Sequence, residues 1–193
     1  MKVLMINGSR RANGCTFTAL TLAAQELYKE GIESEILNVG CRVVKGELNA
    51  VVREALEIMK EADGLVIGSP VYYASPSGEV LSFLDRLFWE GGDVLRCKPC
   101  ATLTSARRAG TTASLDALNK YPTICEMPLV SSCYWNMVHG FTPEDVMEDL
   151  EGVQIMRTLG RNMAWLLKSI EAGKQAGLAQ PAPAERVHTN FIR

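Results

Sequence analysis

Residues 64–86 place the strongest constraint on what this chain can fold into. Residues 65–68 are a short segment that is apolar on both faces, residues 69–75 form a polar and aromatic loop, and an amphipathic helix is expected to begin near Pro76. A short strand that must be covered on both faces, and that leads into a helix, is typical of the interior of a parallel sheet. Because open α/β sheets bind ligands at the carboxyl ends of their strands, this loop is a candidate binding site.

The same strand–helix unit recurs along the chain. Strands are predicted at residues 2–6, 32–39, 64–68, 98–105 and 127–132, a loop at 40–42, and helices at 16–30, 47–62, 76–89, 111–120 and 142–170. Ser75 is the expected N-cap of the third helix and Pro76 its first residue. This alternation predicts an α/β fold with a parallel sheet and helices on both faces. Five strands favour the flavodoxin-like, doubly wound order 2-1-3-4-5 over a six-stranded dinucleotide domain.

Composition narrows the class of protein further. With 193 residues, 47% hydrophobic content and a net charge of −2, the chain is expected to form one domain over residues 1–172, followed by an extended tail over 173–193. The charges are dispersed, so no basic surface for nucleic acid is expected, and no apolar run reaches membrane-spanning length. The amino terminus lacks the pattern of a signal peptide, which predicts a cytoplasmic protein.

Six cysteines in a chain of this size do not suggest a disulfide framework. In a reducing compartment they are expected to serve mainly as small buried hydrophobes. Cys97 and Cys100 form a CxxC pair that leads into an apolar strand rather than a helix, which favours a structural role and leaves a redox role open. No second Cys or His pair stands at zinc spacing, so no metal site is expected.

Residues 8–16 join the first strand to the first helix and have the composition of an anion site. Ser9, Asn13 and Thr16 offer side-chain hydrogen-bond donors, and Gly8 and Gly14 permit close backbone approach. Arg11 or Arg10 adds a guanidinium. The start of the helix adds free amides and the positive end of its dipole. The loop matches neither GxGxxG nor GxxxxGK[ST], and no acidic residue closes the second strand to hold a ribose. A single terminal phosphate therefore fits better than a dinucleotide, with a polar helix-capping turn as the alternative.

Tyr72 and Tyr73, beside Pro70, offer flat faces in the loop after the third strand, although they are also consistent with ordinary core or interface aromatics. Residues 105–110 form a Ser/Arg/Gly loop after the fourth strand. All three loops are expected at one edge of one sheet. A ligand with a phosphate at one end and a flat ring at the other would bridge them, and flavin mononucleotide (FMN) has that shape.

Three segments carry a resemblance to a known family: GSRRANGCT, GSPVYYASPSGEVLSFLDR and TSARRAG, after the first, third and fourth strands. They resemble the NAD(P)H-dependent FMN reductases of the flavodoxin superfamily, close to the branch that includes the iron–sulfur flavoproteins. The resemblance covers residues 1–170, and its specific part is the motif after the third strand. It implies a phosphate loop of the form G-S-x-R-x-x-x-x-T, a ring-binding loop S-P-V-Y-Y, and a third loop on the pyrimidine side of the flavin.

The resemblance also implies which residues bind a non-covalent FMN. They are Ser9, Arg11, Asn13, Gly14, Cys15, Thr16, Pro70, Val71, Tyr72, Tyr73, Ser75, Ser105, Ala106, Arg107, Arg108 and Gly110. No catalytic side chain is expected, because the flavin carries the chemistry, and Arg107 and Arg108 are candidates for electrostatic support or for meeting a nicotinamide cofactor. That arginine pair is also consistent with a solvated surface turn.

Two departures from the family pattern matter. Members with a [4Fe–4S] cluster carry a compact set of cysteines after the second strand, whereas this chain has only Cys41 there, so no cluster is expected. Cys15 stands where a small polar residue is more usual. Its position at a helix start makes a lowered thiol pKa an expectation to test, and a redox role for it is left open.

The resemblance implies an NAD(P)H oxidoreductase that passes two electrons through flavin N5 to a flavin, a quinone or a similar small acceptor. Two alternatives stay open: a flavodoxin-type electron carrier without nicotinamide activity, and a non-catalytic flavin-binding module. The net charge of −2 disfavours the carrier, since such carriers tend to be strongly acidic. The apolar residues Phe83, Leu87, Phe88 and Trp89 exceed what one helix face needs, which predicts a partner subunit, and the resemblance implies a homodimer or homotetramer.

Overall fold

The structure, a computed structural model, describes residues 1–185, 187–189 and 191. The elements are β1 Lys2–Asn7, α1 Cys15–Lys29, β2 Glu33–Asn38, α2 Val39–Val44, α3 Leu48–Glu61, β3 Gly64–Tyr72, β4 Ser75–Pro76, α4 Gly78–Glu90, α5 Gly92–Leu95, β5 Cys100–Ala106, α6 Thr111–Ile124, β6 Met137–His139, α7 Pro143–Glu148 and α8 Leu150–Gln175. Within the described residues, no helix is long and apolar enough to cross a membrane.

One sheet organises the chain, with strands in the order β2-β1-β3-β5-β6. These strands pair in parallel, while the two-residue β4 folds back antiparallel on the end of β3. Counted without β4, the parallel strands have the order 2-1-3-4-5. The predicted flavodoxin-like architecture is therefore confirmed.

The interior strands are buried on both faces, as their apolar sequences predict. In β1, Val3 and Met5 pack into one hydrophobic cluster with α1 and α8, whereas Leu4 and Ile6 pack into a second cluster with α3 and α4. All four side chains are fully buried. Because side chains alternate across a strand, this double burial requires a helical layer on each face.

The position of the last strand differs from the prediction. Residues 127–132 were expected to form it, but they make only an isolated bridge between Leu129 and Cys100. Pro128 has no amide hydrogen to donate to a ladder, which explains why pairing there is not continuous. The last parallel strand is β6, which pairs with the end of β5.

Two local predictions near the sheet edge are also wrong. Ser77, not Ser75, caps α4, because its hydroxyl accepts a hydrogen bond from the Val80 amide at 3.2 Å. Ser75 and Pro76 instead form β4, which closes a hairpin with β3. Residues 40–42, expected as a loop, belong to the short helix α2.

The helix start predicted at Thr142 is confirmed by a reciprocal capping box between Thr142 and Asp145. The following helix breaks at Asp149 and then continues as α8 to Gln175, so residues 173–175, assigned to the tail, are helical. The division into a domain and a tail stays a prediction.

Burial within this chain accounts for most of the apolar stretch in α4. Phe83 and Leu87 are fully buried and Phe88 nearly so, because α4 covers the second cluster. Of the four apolar residues in this stretch, only Trp89 lies at the surface, with 89% relative exposure.

Candidate functional site

A cavity of about 260 Å³ opens at the carboxyl edge of the sheet. Its walls are the loops that follow β1, β3, β5 and β6, and it is lined by Ser9, Arg11, Gly14, Cys15, Thr16, Pro70, Val71, Tyr72, Ser105, Ala106, Arg107, Gly140 and Phe141. The three loops singled out in the sequence therefore meet in one place. A fourth loop, after β6, joins them.

The loop after β1 is organised by Asn7, which is fully buried. Its side-chain amide donates to the Asn38 side-chain oxygen at 2.8 Å and to the Ala12 carbonyl at 3.1 Å. Its side-chain oxygen accepts from the Ser9 amide at 3.1 Å. One side chain thus fixes both ends of the loop and ties the loop to the end of β2, a role that the sequence reasoning missed.

The first turn of α1 presents donors to the cavity. Its N-cap is Gly14, no side chain in the described part of the chain caps it, and no acidic residue lies in its first turn. The first amides of a helix have no carbonyl partner inside the helix, so they are free to bind an anion. The Thr16 hydroxyl is 2.7 Å from that of Ser105, which joins this turn to the end of β5. This wall can bind a phosphate.

Neighbouring elements pack closely against the loop after β1 (residues 8–14, the phosphate-type loop) at two glycines, Gly8 and Gly40. A Cβ added at Gly40, in α2, would lie closer than 3.0 Å to the backbone of Gly8 and Ser9. A Cβ at Gly8 would lie 2.7 Å from the Cβ of Val80 and 2.9 Å from the Gly68 carbonyl oxygen. The absence of side chains at Gly8 and Gly40 therefore lets α2, β3 and α4 close around the loop.

The second wall is the hairpin formed by β3 and β4. Tyr73 (φ 52°) and Ala74 (φ 57°) form its tip, and both adopt left-handed backbone conformations. Such conformations cost a non-glycine residue about 1–2 kcal/mol each, so the tip stores strain beside the cavity. Tyr72 lines the cavity at 40% relative exposure, whereas Tyr73 is fully exposed.

The third wall is the end of β5. Ser105 and Ala106 are buried and reach the cavity, and the exposed Arg107 lies at its rim. Gly110 caps α6 with φ 93°, and an added Cβ would lie 2.6 Å from the Ala74 Cα. Gly110 therefore supports the strained hairpin and does not line the cavity itself.

The fourth wall, Gly140 and Phe141, was not among the predicted site residues. Once β6 is located at Met137–His139, its carboxyl end falls at these residues. The motif Gly140-Phe141-Thr142-Pro143, just before a strong helix start, was the available signal.

Several predicted site residues do not line the cavity. Asn13 and Arg108 are exposed, Tyr73 points away at the hairpin tip, Ser75 is half-buried in β4, and Gly110 lies behind the hairpin. Arg10, the alternative to Arg11, is engaged outside the cavity by the Glu79 carboxylate at 2.6 Å. Of the two neighbouring arginines, Arg11 is therefore the one that lines the cavity.

Cys15 lines the cavity, but its thiol does not have the expected lowered pKa. Burial raises the pKa of Cys15, and this effect outweighs its own backbone amide and the nearby Arg11, which both lower it. The thiol sulfur lies 3.6 Å from the Gly140 carbonyl oxygen, to which it donates. In the CxxC pair, Cys100 is fully buried in β5, and its burial strongly raises the thiol pKa.

Solved structures share this architecture. RosB, with a bound 8-demethyl-8-formylriboflavin-5'-phosphate, superposes with a TM-score of 0.68 at 18% identity, over 100% of this chain and 93% of that one. The apo form of an NADH:FMN oxidoreductase gives a TM-score of 0.66 at 20% identity, over 87% and 89%. The fold is therefore the flavodoxin-like one.

Sequence comparison gives the family. The profile of the NADPH-dependent FMN reductases matches residues 1–142, and the chain belongs to that family. An iron–sulfur flavoprotein of Methanocaldococcus jannaschii is 30% identical over 192 residues, which cover 89% of this chain and 100% of that protein. An iron–sulfur flavoprotein of Archaeoglobus fulgidus is 36% identical over 98 residues, 45% of this chain and 48% of that one. Membership of this family makes the chain a flavin-dependent oxidoreductase.

The cysteines of this chain do not fit the cluster that the names of these relatives imply. Cys41 is the only cysteine in the segment after β2, where it lies in α2 and donates to the Asn38 carbonyl. Across residues 1–185, 187–189 and 191, no group of three or more Cys, His, Asp or Glu side chains is arranged to hold a metal. The absence of a cluster stays a prediction for the purified protein.

Proposed function

We propose that this protein is an NAD(P)H-dependent oxidoreductase that uses non-covalent FMN to reduce a flavin, a quinone or a similar small acceptor. The single observation that carries the proposal is the joining of a phosphate-type loop and an aromatic hairpin in one cavity at the carboxyl edge of a flavodoxin-like sheet. The family match supports it.

The residues present fit a flavin phosphate. Free amides of the first turn of α1, the hydroxyls of Ser9 and Thr16 and the guanidinium of Arg11 are all donors, as a phosphate requires. Gly40 packs closely against the backbone of Gly8 and Ser9, which supports this loop from behind. Among the residues that the structure describes, no carboxylate lines the cavity to repel an anion.

Each wall then has a defined task. The loop after β1 holds the phosphate, Pro70 and Tyr72 restrict the plane available to a ring, and Ser105 and Ala106 close the opposite side. Bound FMN would supply the hydride and electron chemistry, taking two electrons from a nicotinamide and giving them to the acceptor. Arg107 at the rim places a positive charge near entering phosphates. A homodimer or homotetramer and a cytoplasmic location remain parts of this proposal.

The first test follows the absorption spectrum. We expect the purified protein, after incubation with FMN and gel filtration, to keep an oxidised flavin spectrum that bleaches in one step on anaerobic addition of NADPH or NADH. Bleaching only by dithionite, or bleaching that stops halfway, would favour the electron carrier. Retained flavin that no nicotinamide reduces, with no transfer to any acceptor, would favour a non-catalytic module.

The adjacent arginines provide a matched test of the binding site. Arg11→Ala should weaken FMN binding by about ten- to a hundredfold, since charge-assisted hydrogen bonds contribute about 1.5–3 kcal/mol. Arg10→Ala removes the same charge one residue away and should change FMN affinity little, because Arg10 is held by Glu79. Fluorescence quenching of FMN measures both. Equal losses in the two variants would argue against a phosphate at this loop.

A further inference from the structure

The loop after β6 and the loop after β1 meet through one pair of side chains. The Arg11 guanidinium carbon lies 6.0 Å from the centre of the Phe141 ring, and both residues line the cavity. This distance is at the outer limit of a cation–π interaction. Phe141 is 63% exposed although it is large and apolar, so burial in the core does not explain its position.

The backbone that carries Phe141 is held rigidly from three sides. The amides of Phe141 and Thr142 both donate to one oxygen of Asp145 at 2.9 Å, and these bonds lower the pKa of that carboxyl. The Gly140 amide donates to the Ala106 carbonyl at 3.0 Å, and its carbonyl accepts from the Cys15 thiol. These hydrogen bonds therefore fix the backbone from which the Phe141 ring extends.

Arg11 differs, because only its backbone is fixed. Its amide donates to the Ser9 hydroxyl at 3.1 Å. Its side chain makes no ion pair with any residue that the structure describes. A free arginine side chain has considerable rotamer entropy, part of which is lost when it binds an anion. An aromatic ring held beside the guanidinium restricts the side chain before the anion binds, so less rotamer entropy is lost on binding.

We propose that Phe141 is a positioning residue for the phosphate of the cofactor, acting through Arg11. The inference rests on the proposed function, since it concerns the phosphate end of the same cavity. It predicts that Phe141 contributes to recognition of the phosphate and not of the isoalloxazine ring.

Comparing FMN with riboflavin, which lacks the phosphate, separates these two contributions. Phe141→Leu keeps an apolar side chain but removes the aromatic face, and should weaken FMN binding about two- to fivefold, the range of an exposed cation–π contact. Riboflavin affinity should stay unchanged, which also shows that the cavity is intact. Phe141→Trp should restore or strengthen FMN binding. In an Arg11→Ala background, Phe141→Leu should have no further effect on FMN.

Two results would overturn this role. One is an equal loss of FMN and riboflavin affinity in Phe141→Leu, which would make Phe141 a wall for the ring. The other is the same loss of FMN affinity with and without Arg11. Both leave FMN binding by the parent protein intact, whereas a parent protein that binds neither ligand would reject the proposed function itself.

Discussion

The variant Gly40→Ala is expected to lose about 3 kcal/mol of unfolding free energy and roughly a hundredfold or more in FMN affinity. The methyl group would overlap the backbone of Gly8 and Ser9, and backbone atoms cannot rotate away as a flexible side chain can. Either α2 moves outward or the loop after β1 shifts. Since the same loop carries the phosphate donors, both responses weaken the proposed binding site.

Urea unfolding and FMN fluorescence quenching measure the two effects of Gly40→Ala. Gly92→Ala is the matched control, because an added Cβ there meets nothing within 4 Å. The control should change stability by no more than about 0.5 kcal/mol and leave FMN affinity unchanged. If Gly40→Ala behaved like this control, the close approach of α2 to the loop would be wrong.

The variant Asn7→Asp is expected to lose about 3 kcal/mol of stability at neutral pH with almost no change in side-chain shape. The substitution replaces the donating amide by an oxygen that faces the acceptors of Asn38 and Ala12. The introduced carboxyl must then be buried as a charge or take up a proton. FMN affinity should fall as well, because this amide holds the phosphate-type loop in place.

Asn13→Asp is the control for Asn7→Asp, since it adds the same charge to the same loop at an exposed position outside the cavity. Its stability should change by less than about 0.5 kcal/mol. The deficit of Asn7→Asp should shrink as the pH falls toward about 4, the ordinary pKa of an aspartate in the unfolded chain, because the buried carboxyl is then protonated in both states and can donate again. A deficit that is equal in both variants, or that does not depend on pH, would contradict the hydrogen-bond role of Asn7.

The last strand is where the sequence pattern and the structure differ most. The apolar run at residues 127–132 is as strand-like as Met137–His139, but only the latter segment pairs continuously with β5. Strand pairing depends on which backbone donors meet which acceptors, and Pro128 removes one donor at the critical place. Gly140 and Phe141, which follow β6 and form the fourth wall of the cavity, were not among the predicted site residues.

The hairpin beside the cavity shows a different limit. The sequence Tyr73-Ala74 contains no glycine or asparagine, so nothing local predicts two successive left-handed residues. The pairing of Val71 with Pro76 and of Tyr72 with Ser75 imposes that conformation. As a result Tyr72 faces the cavity while Tyr73 faces solvent, a distinction that the motif alone does not contain.

What the sequence determined by itself is the architecture and the edge where the site lies. Apolar strands that alternate with amphipathic helices admit few arrangements, and these patterns are local, so they can be recognised without coordinates. The tertiary structure alone decided which of two arginines faces the cavity, that Asn7 and Gly40 hold the loop after β1, and that burial raises the Cys15 pKa. Each of these depends on contacts between residues far apart in the chain, and their distances and burial exist only once the sheet has assembled.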